Sequence, residues 1–151
     1  HIGNSSVDWI GGQVPWSTYS DARAKDNVKE DVKGLDFILK LRPVTYHFNK
    51  EQMDRLLGVD DKSDYHETYD IEKIKQSGFL AQEVEEAATT AGYDFSCVKP
   101  PKRDEGYYSL SYAEFVVPLV KAVQEQQQMI EEQQKMIEEL KAEIKEVRNE
   151  K

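Results

Sequence analysis

At 151 residues the chain has room for one domain, or for one domain plus an extended element. Its net charge of −9 weighs against nucleic acid or an anionic membrane surface as a direct partner, and no apolar run approaches the roughly 18–20 residues of a membrane span. With 38% hydrophobic and 32% charged residues and a mean hydropathy of −0.74, the chain is polar for a globule, so part of it is expected to be solvated helix rather than core.

The opening "HIGNSSVDWIGGQVPWSTY" mixes Gly, Ser and Asn with Val, Ile and Trp. It reads as short extended pieces joined by turns at Gly11-Gly12 and Pro15. A start without Met or a signal-peptide pattern is expected of a piece of a longer protein. From Ser20 the pattern turns helical, with Leu35, Ile38, Leu39 and Leu41 near helical spacing and a stop before Pro43. "PVTYHF" (Pro43 to Phe48) is β-branched and aromatic and predicts a strand with Pro at its first position.

Asn49 to Ser77 is polar and reads as a surface insertion, with short helices expected at "EQMDRLL" and "DIEKIK". Its "DDKSD" lacks the Gly and the distal Glu of a calcium loop. His47 and His66 have no Cys or His at zinc-ligand spacing, and the lone Cys97 excludes an internal disulfide framework. No metal or cofactor is expected. "GFLAQEVEEAA" predicts a brief strand running into a helix, and "YYSL" a strand ending near Leu110. Ser111 followed by Glu114 is a capping-box signature. Pro118 should kink the next helix or mark its true beginning.

The C-terminal segment repeats Met-Ile-Glu-Glu at a spacing of seven, at Met129–Glu132 and Met136–Glu139. With Ile130 at heptad position a, that position holds Val116, Val123, Ile130, Ile137 and Ile144. Position d holds Leu119, Gln126, Gln133, Leu140 and Val147. An apolar seven-residue repeat calls for a left-handed coiled coil. Every a residue is β-branched and leucine fills only two of the five d positions, which favours three strands over two. Glu143 at g would pair with Arg148 at the following e of a parallel neighbour. A lone amphipathic helix folded onto its own domain is the plainer alternative. The fold class expected is α+β: a small mixed domain of short strands and helices, ending in a long helix that forms a parallel trimeric coiled coil.

In "STYSDARAKDNVK", Ser20 stands five residues ahead of Lys25, with Asp21 and Arg23 between. This is either a solvated helix start, Ser20 capping and Asp21 in the first turn, or a nucleophile with its base.

Four stretches, "SDARAKDNV", "LDFILKLRPVTYHF", "GFLAQEVEEAA" and "YSLSYAEFVVPLVKAVQE", occur in this order over most of Ser20 to about Gln128. In them the chain resembles the C-terminal intramolecular chaperone domain of phage endosialidases and other tailspike or tail-fibre proteins, the peptidase S74 family. The myelin regulatory factor family carries a similar domain. The resemblance implies a homotrimer whose joined helices bring upstream fibre chains into register. It also implies release by a cut between Tyr19 and Ser20, with Ser20 as nucleophile, Lys25 as base, and Asp21 and Arg23 as supporting residues. Gly78, Ala81, Gln82 and Glu83 carry the third motif.

The domains expected are the end of a β-rich shaft over 1–19, the chaperone domain over 20–117 with the insertion 49–77, and the coiled-coil helix over 118–151. The chemistry has a condition: lysine serves as base only where burial or a cationic neighbour disfavours its ammonium form, and Arg23 is the nearby cation. The expected partners are two further copies of the chain and the upstream fibre segment, on a virion tail or cell-surface fibre, with no nucleic acid or membrane bound directly. Any activity would be a single-turnover self-cleavage. The alternatives are a structural trimerisation module with a vestigial Ser-Lys motif, and a Ser–Lys hydrolase acting on other chains, for which the sequence offers no substrate cleft.

Overall fold

The computed structural model describes Gln13 and residues 17–58, 71–101 and 106–149. Most of the expected shaft segment 1–19, the Asp60–Asp64 run and His66 lie outside the described residues.

The helix expected from Ser20 is not there. Residues 20–34 hold one 3-10 turn, Ala22–Ala24, followed by irregular backbone, and α1 is a single turn, Leu35–Ile38. The apolar spacing that suggested more is used differently. Phe37 is fully buried and Ile38 and Leu41 pack beside it, but Leu39 faces solvent. Bonds from the Lys40 and Leu41 amides to the Phe37 and Ile38 carbonyls tighten the exit before Pro43.

Strand β1 (Val44–Tyr46) falls inside the expected strand and pairs antiparallel with β2 (Gln76–Gly78), Val44 opposite Gly78 and Tyr46 opposite Gln76. The polar insertion is therefore a hairpin excursion, and β2 takes Gln76 and Ser77 from its end. Helix α2 (Lys50–Leu57) stands where "EQMDRLL" predicted it. The Asn49 side chain caps it, and the Lys50 amide donates to Glu72 across the excursion at 2.9 Å. Ile71–Lys73, from "DIEKIK", forms only a 3-10 turn.

Helix α3 (Ala81–Thr90) follows two residues after β2 and buries Val84, Ala87 and Ala88 at helical spacing. It ends in a Schellman turn: the Tyr93 amide reaches the Ala88 carbonyl, the Gly92 amide reaches Thr89, and Gly92 takes φ +61°. That reversal sends Tyr93 and Phe95 back into the core. Phe37 meets Phe95 edge-on at 5.0 Å and Tyr93 at 5.3 Å, while Phe115 contacts Phe95 and Phe79 at 5.1 Å each. The core thus sits where α1, α3 and the start of the last helix converge.

A second ribbon pairs β3 (Val98–Lys99) with β4 (Ser109–Leu110). The capping box at Ser111 does not form. The Ser111 side chain makes no cap bond, and the Glu114 carboxylate instead accepts from the Ser96 hydroxyl. Tyr112–Phe115 is a 3-10 turn leading directly into α4 (Val116–Asn149). Pro118 is the third residue of α4, where its missing N–H costs no helical bond, so it marks the beginning and not a kink. The architecture is a small mixed α and β domain with a long C-terminal helix.

Candidate functional site

Ser20 and Lys25 come together because the 3-10 turn shortens the path between them. The Ala24 amide bonds the Asp21 carbonyl and the Lys25 amide bonds that of Ala22, which folds the Lys25 side chain back over the turn. The Lys25 Nζ donates to Ser20 Oγ at 2.7 Å.

Asp21, not Ser20, is the N-cap: its Oδ1 accepts the Arg23 amide at 2.9 Å. The Arg23 guanidinium also turns onto Asp21, through Nε at 3.0 Å and an Nη2 contact of 2.7 Å. The guanidinium, and then the Arg23 amide, hold the Asp21 carboxyl below the usual carboxylate range, and the carboxylate raises Arg23 in return. In the single chain the charge of Arg23 is thus paired with Asp21.

Residues 17–31 are all exposed, Tyr19 wholly so, and Asn27 adopts a left-handed φ of 54° two residues beyond Lys25. Exposure falls from Val32 onward, and Gly34 is buried. Gly34 gives α1 no side-chain cap; the Leu35 amide instead donates to the Glu125 carboxylate of α4 at 2.7 Å. A Cβ on Gly34 would overlap that carboxyl group and lie 2.9 Å from the Ala122 backbone nitrogen.

The third-motif residues gather at the β2–α3 junction. A Cβ on Gly78 would strike the Tyr112 hydroxyl, which accepts the Phe79 amide at 3.0 Å. Glu83 makes a two-pronged ion pair with Arg42, with Nε to Oε2 at 3.0 Å. Ala81 opens α3 and Gln82 faces solvent. Among the described residues no group of three His, Cys, Asp or Glu side chains is placed to hold a metal, and no helix is long and apolar enough to cross a membrane.

On α4 the contact with the head is short. Phe115, Pro118 and Ala122 are buried, Lys121 and Glu125 are half-buried, and residues 126–149 are all exposed. That free part projects about 36 Å at ~1.5 Å per residue. The head uses positions c and g, leaving the a and d residues Val116, Leu119, Val123, Ile130, Ile137, Leu140, Ile144 and Val147 at 45–61% exposure. Gln126 and Gln133 are exposed on the same stripe. The helix is therefore not laid along its own domain beyond Glu125.

Glu125, the Tyr112 hydroxyl seat and the Arg42–Glu83 pair were not foreseen from sequence. At heptad position c, Glu125 reads as a solvent residue, and its partner is 90 positions away.

One family model, described as the chaperone of endosialidase (peptidase S74), matches residues 20–93. The match starts at Ser20 and takes in the first three stretches; "YSLSYAEFVVPLVKAVQE" and the whole of α4 lie beyond it. Comparison with curated proteins and with solved structures gives no match.

Proposed function

We propose, from the match of residues 20–93 to the family of endosialidase chaperones, peptidase S74, that the chain belongs to that family and is an intramolecular chaperone. Three copies join their α4 stalks in parallel and so bring three upstream fibre segments into register. The observation that carries this reading is the bare apolar stripe on a helix that leaves its own domain. A solitary helix is marginal in water without tertiary cover, and eight large aliphatic a and d side chains stand half-exposed along α4. β-branched residues at every a, with Gln at two of five d positions, favour three strands.

The second step is self-release between Tyr19 and Ser20. Ser20 Oγ attacks the Tyr19 carbonyl carbon, and Lys25 takes the hydroxyl proton and passes it to the Ser20 nitrogen as the C–N bond breaks. Water hydrolyses the resulting ester, leaving a Tyr19 carboxylate and a Ser20 amine. The 2.7 Å Lys25–Ser20 bond supports this assignment. Ser20 and Lys25 are both exposed in the single chain, so neighbouring copies must supply the cover the chemistry needs.

That exposure also favours a second reading, a non-cleaving trimerisation module in which Lys25 merely closes a surface turn. Intact-mass measurement on the wild type beside Ser20→Ala and Lys25→Ala separates the two. Release predicts a product beginning at Ser20 in the wild type and in neither variant. A wild type that stays whole in its assembled form supports the second reading.

A further inference from the structure

The 17–31 segment is exposed along its whole length, and its exit is held at one place on the stalk. At that joint three features converge. Gly34 leaves the first amide of α1 without a local cap. The Glu125 carboxylate crosses from α4 to accept the Leu35 N–H at 2.7 Å. The missing Cβ lets α1 abut the α4 backbone at Ala122, itself 4% exposed. Glu125 is also the last stalk residue that reaches the head. In an ordinary coiled coil a c-position carboxylate is free in solvent; here it turns back onto its own domain, with Lys121 one turn earlier at 3.9 Å.

The geometry points to Glu125 as a positioning residue: it pins the rotational phase of the stalk to the strap that carries Ser20 and Lys25. With ~100° of rotation per residue, the c/g face that Glu125 holds lies about a third of a turn from the centre of the a/d stripe. A fixed Glu125–Leu35 bond therefore aims the stripe away from the head and sets each strap at the same place around the stalk. The phase of the stalk then reaches the strap at its exit, through the charge-assisted Glu125–Leu35 bond beside the buried Ala122 contact. This role rests on the self-release reading above, but the pin is measurable apart from it.

The test uses the full chain as wild type, Glu125→Ala and Glu125→Gln. Three readouts are taken: mass in solution, hydrogen exchange of the Leu35 amide, and the rate at which product beginning at Ser20 accumulates. Glu125→Ala should keep the wild-type mass, since Glu125 lies outside the seam, while Leu35 protection and the release rate each fall at least tenfold. Glu125→Gln, which still offers a carbonyl acceptor, should recover most of both. Unchanged Leu35 protection in Glu125→Ala overturns the pin whatever the release rate. Lost protection with wild-type release overturns the positioning role, as does a loss of assembly. A wild type that never cuts, with protection lost in Glu125→Ala, removes the self-release reading and leaves the pin standing as a structural joint.

Discussion

Truncating Ile137 to Ala probes the stalk where the head has no part. Ile137 is 50% exposed in the single chain, so assembly has about half of its surface left to cover. The substitution deletes three carbons, worth ~0.8 kcal/mol each when fully buried. Half of that is ~1.2 kcal/mol per chain and ~3.6 kcal/mol for a layer of three. At ~1.4 kcal/mol per tenfold, the association constant of the proposed trimer should fall by roughly 400-fold. Because three chains combine, the half-assembly concentration rises by roughly its square root, about twentyfold. Sedimentation equilibrium over a dilution series reads this shift directly. Lys135→Ala, at the outward f position, should leave the midpoint unmoved. An Ile137→Ala midpoint equal to wild type, or an equal shift from Lys135→Ala, refutes the seam.

Three further outcomes follow from the head. Phe37→Ala removes a fully buried ring that touches Phe95 and Tyr93; it should cost about 3–5 kcal/mol in denaturant unfolding, and a loss below about 1 kcal/mol would dismiss the core assignment. Gly78→Ala should push out the Tyr112 ring and release the Phe79 amide, costing about 1–3 kcal/mol, with Phe79 exchange rising in step. The Asp21 carboxyl, lowered by Arg23, stabilises the turn above the ordinary carboxylate value of about 3.9, a contribution lost only as pH falls through the lowered value. Titration of its carboxyl carbon by NMR should therefore give a midpoint below that of a free Asp, and Arg23→Ala should bring it back up.

Sequence patterns located the elements whose side chains repeat against a single neighbour. The β-branched and aromatic composition of Pro43 to Phe48 located β1, and "GFLAQEVEEAA" held α3. The seven-residue repeat located the final helix by its period. The failures came where one residue had two possible partners. Ser111 and Glu114 had capping-box spacing, but Ser96 claimed the carboxylate. Leu39 completed a helical spacing yet stayed in solvent, because the chain tightens after one turn. At the Ser20 turn the spacing brought out Ser20 and Lys25, which do hydrogen-bond, but the wrong cap, since nothing local distinguishes Asp21 bonded to Arg23 from Asp21 favouring a helix start. Glu125 was illegible for a different reason: contacts 90 residues apart leave no periodic trace. Val98–Lys99 is too short to register as a strand without its partner Ser109–Leu110.

Native mass spectrometry of the full chain reads the stoichiometry that the proposed stalk assembly requires. The account predicts a species of three times the 17.4 kDa chain, less any fragment released ahead of Ser20. A persistent species of one or two chains, at concentrations where the stalk should be saturated, would contradict it.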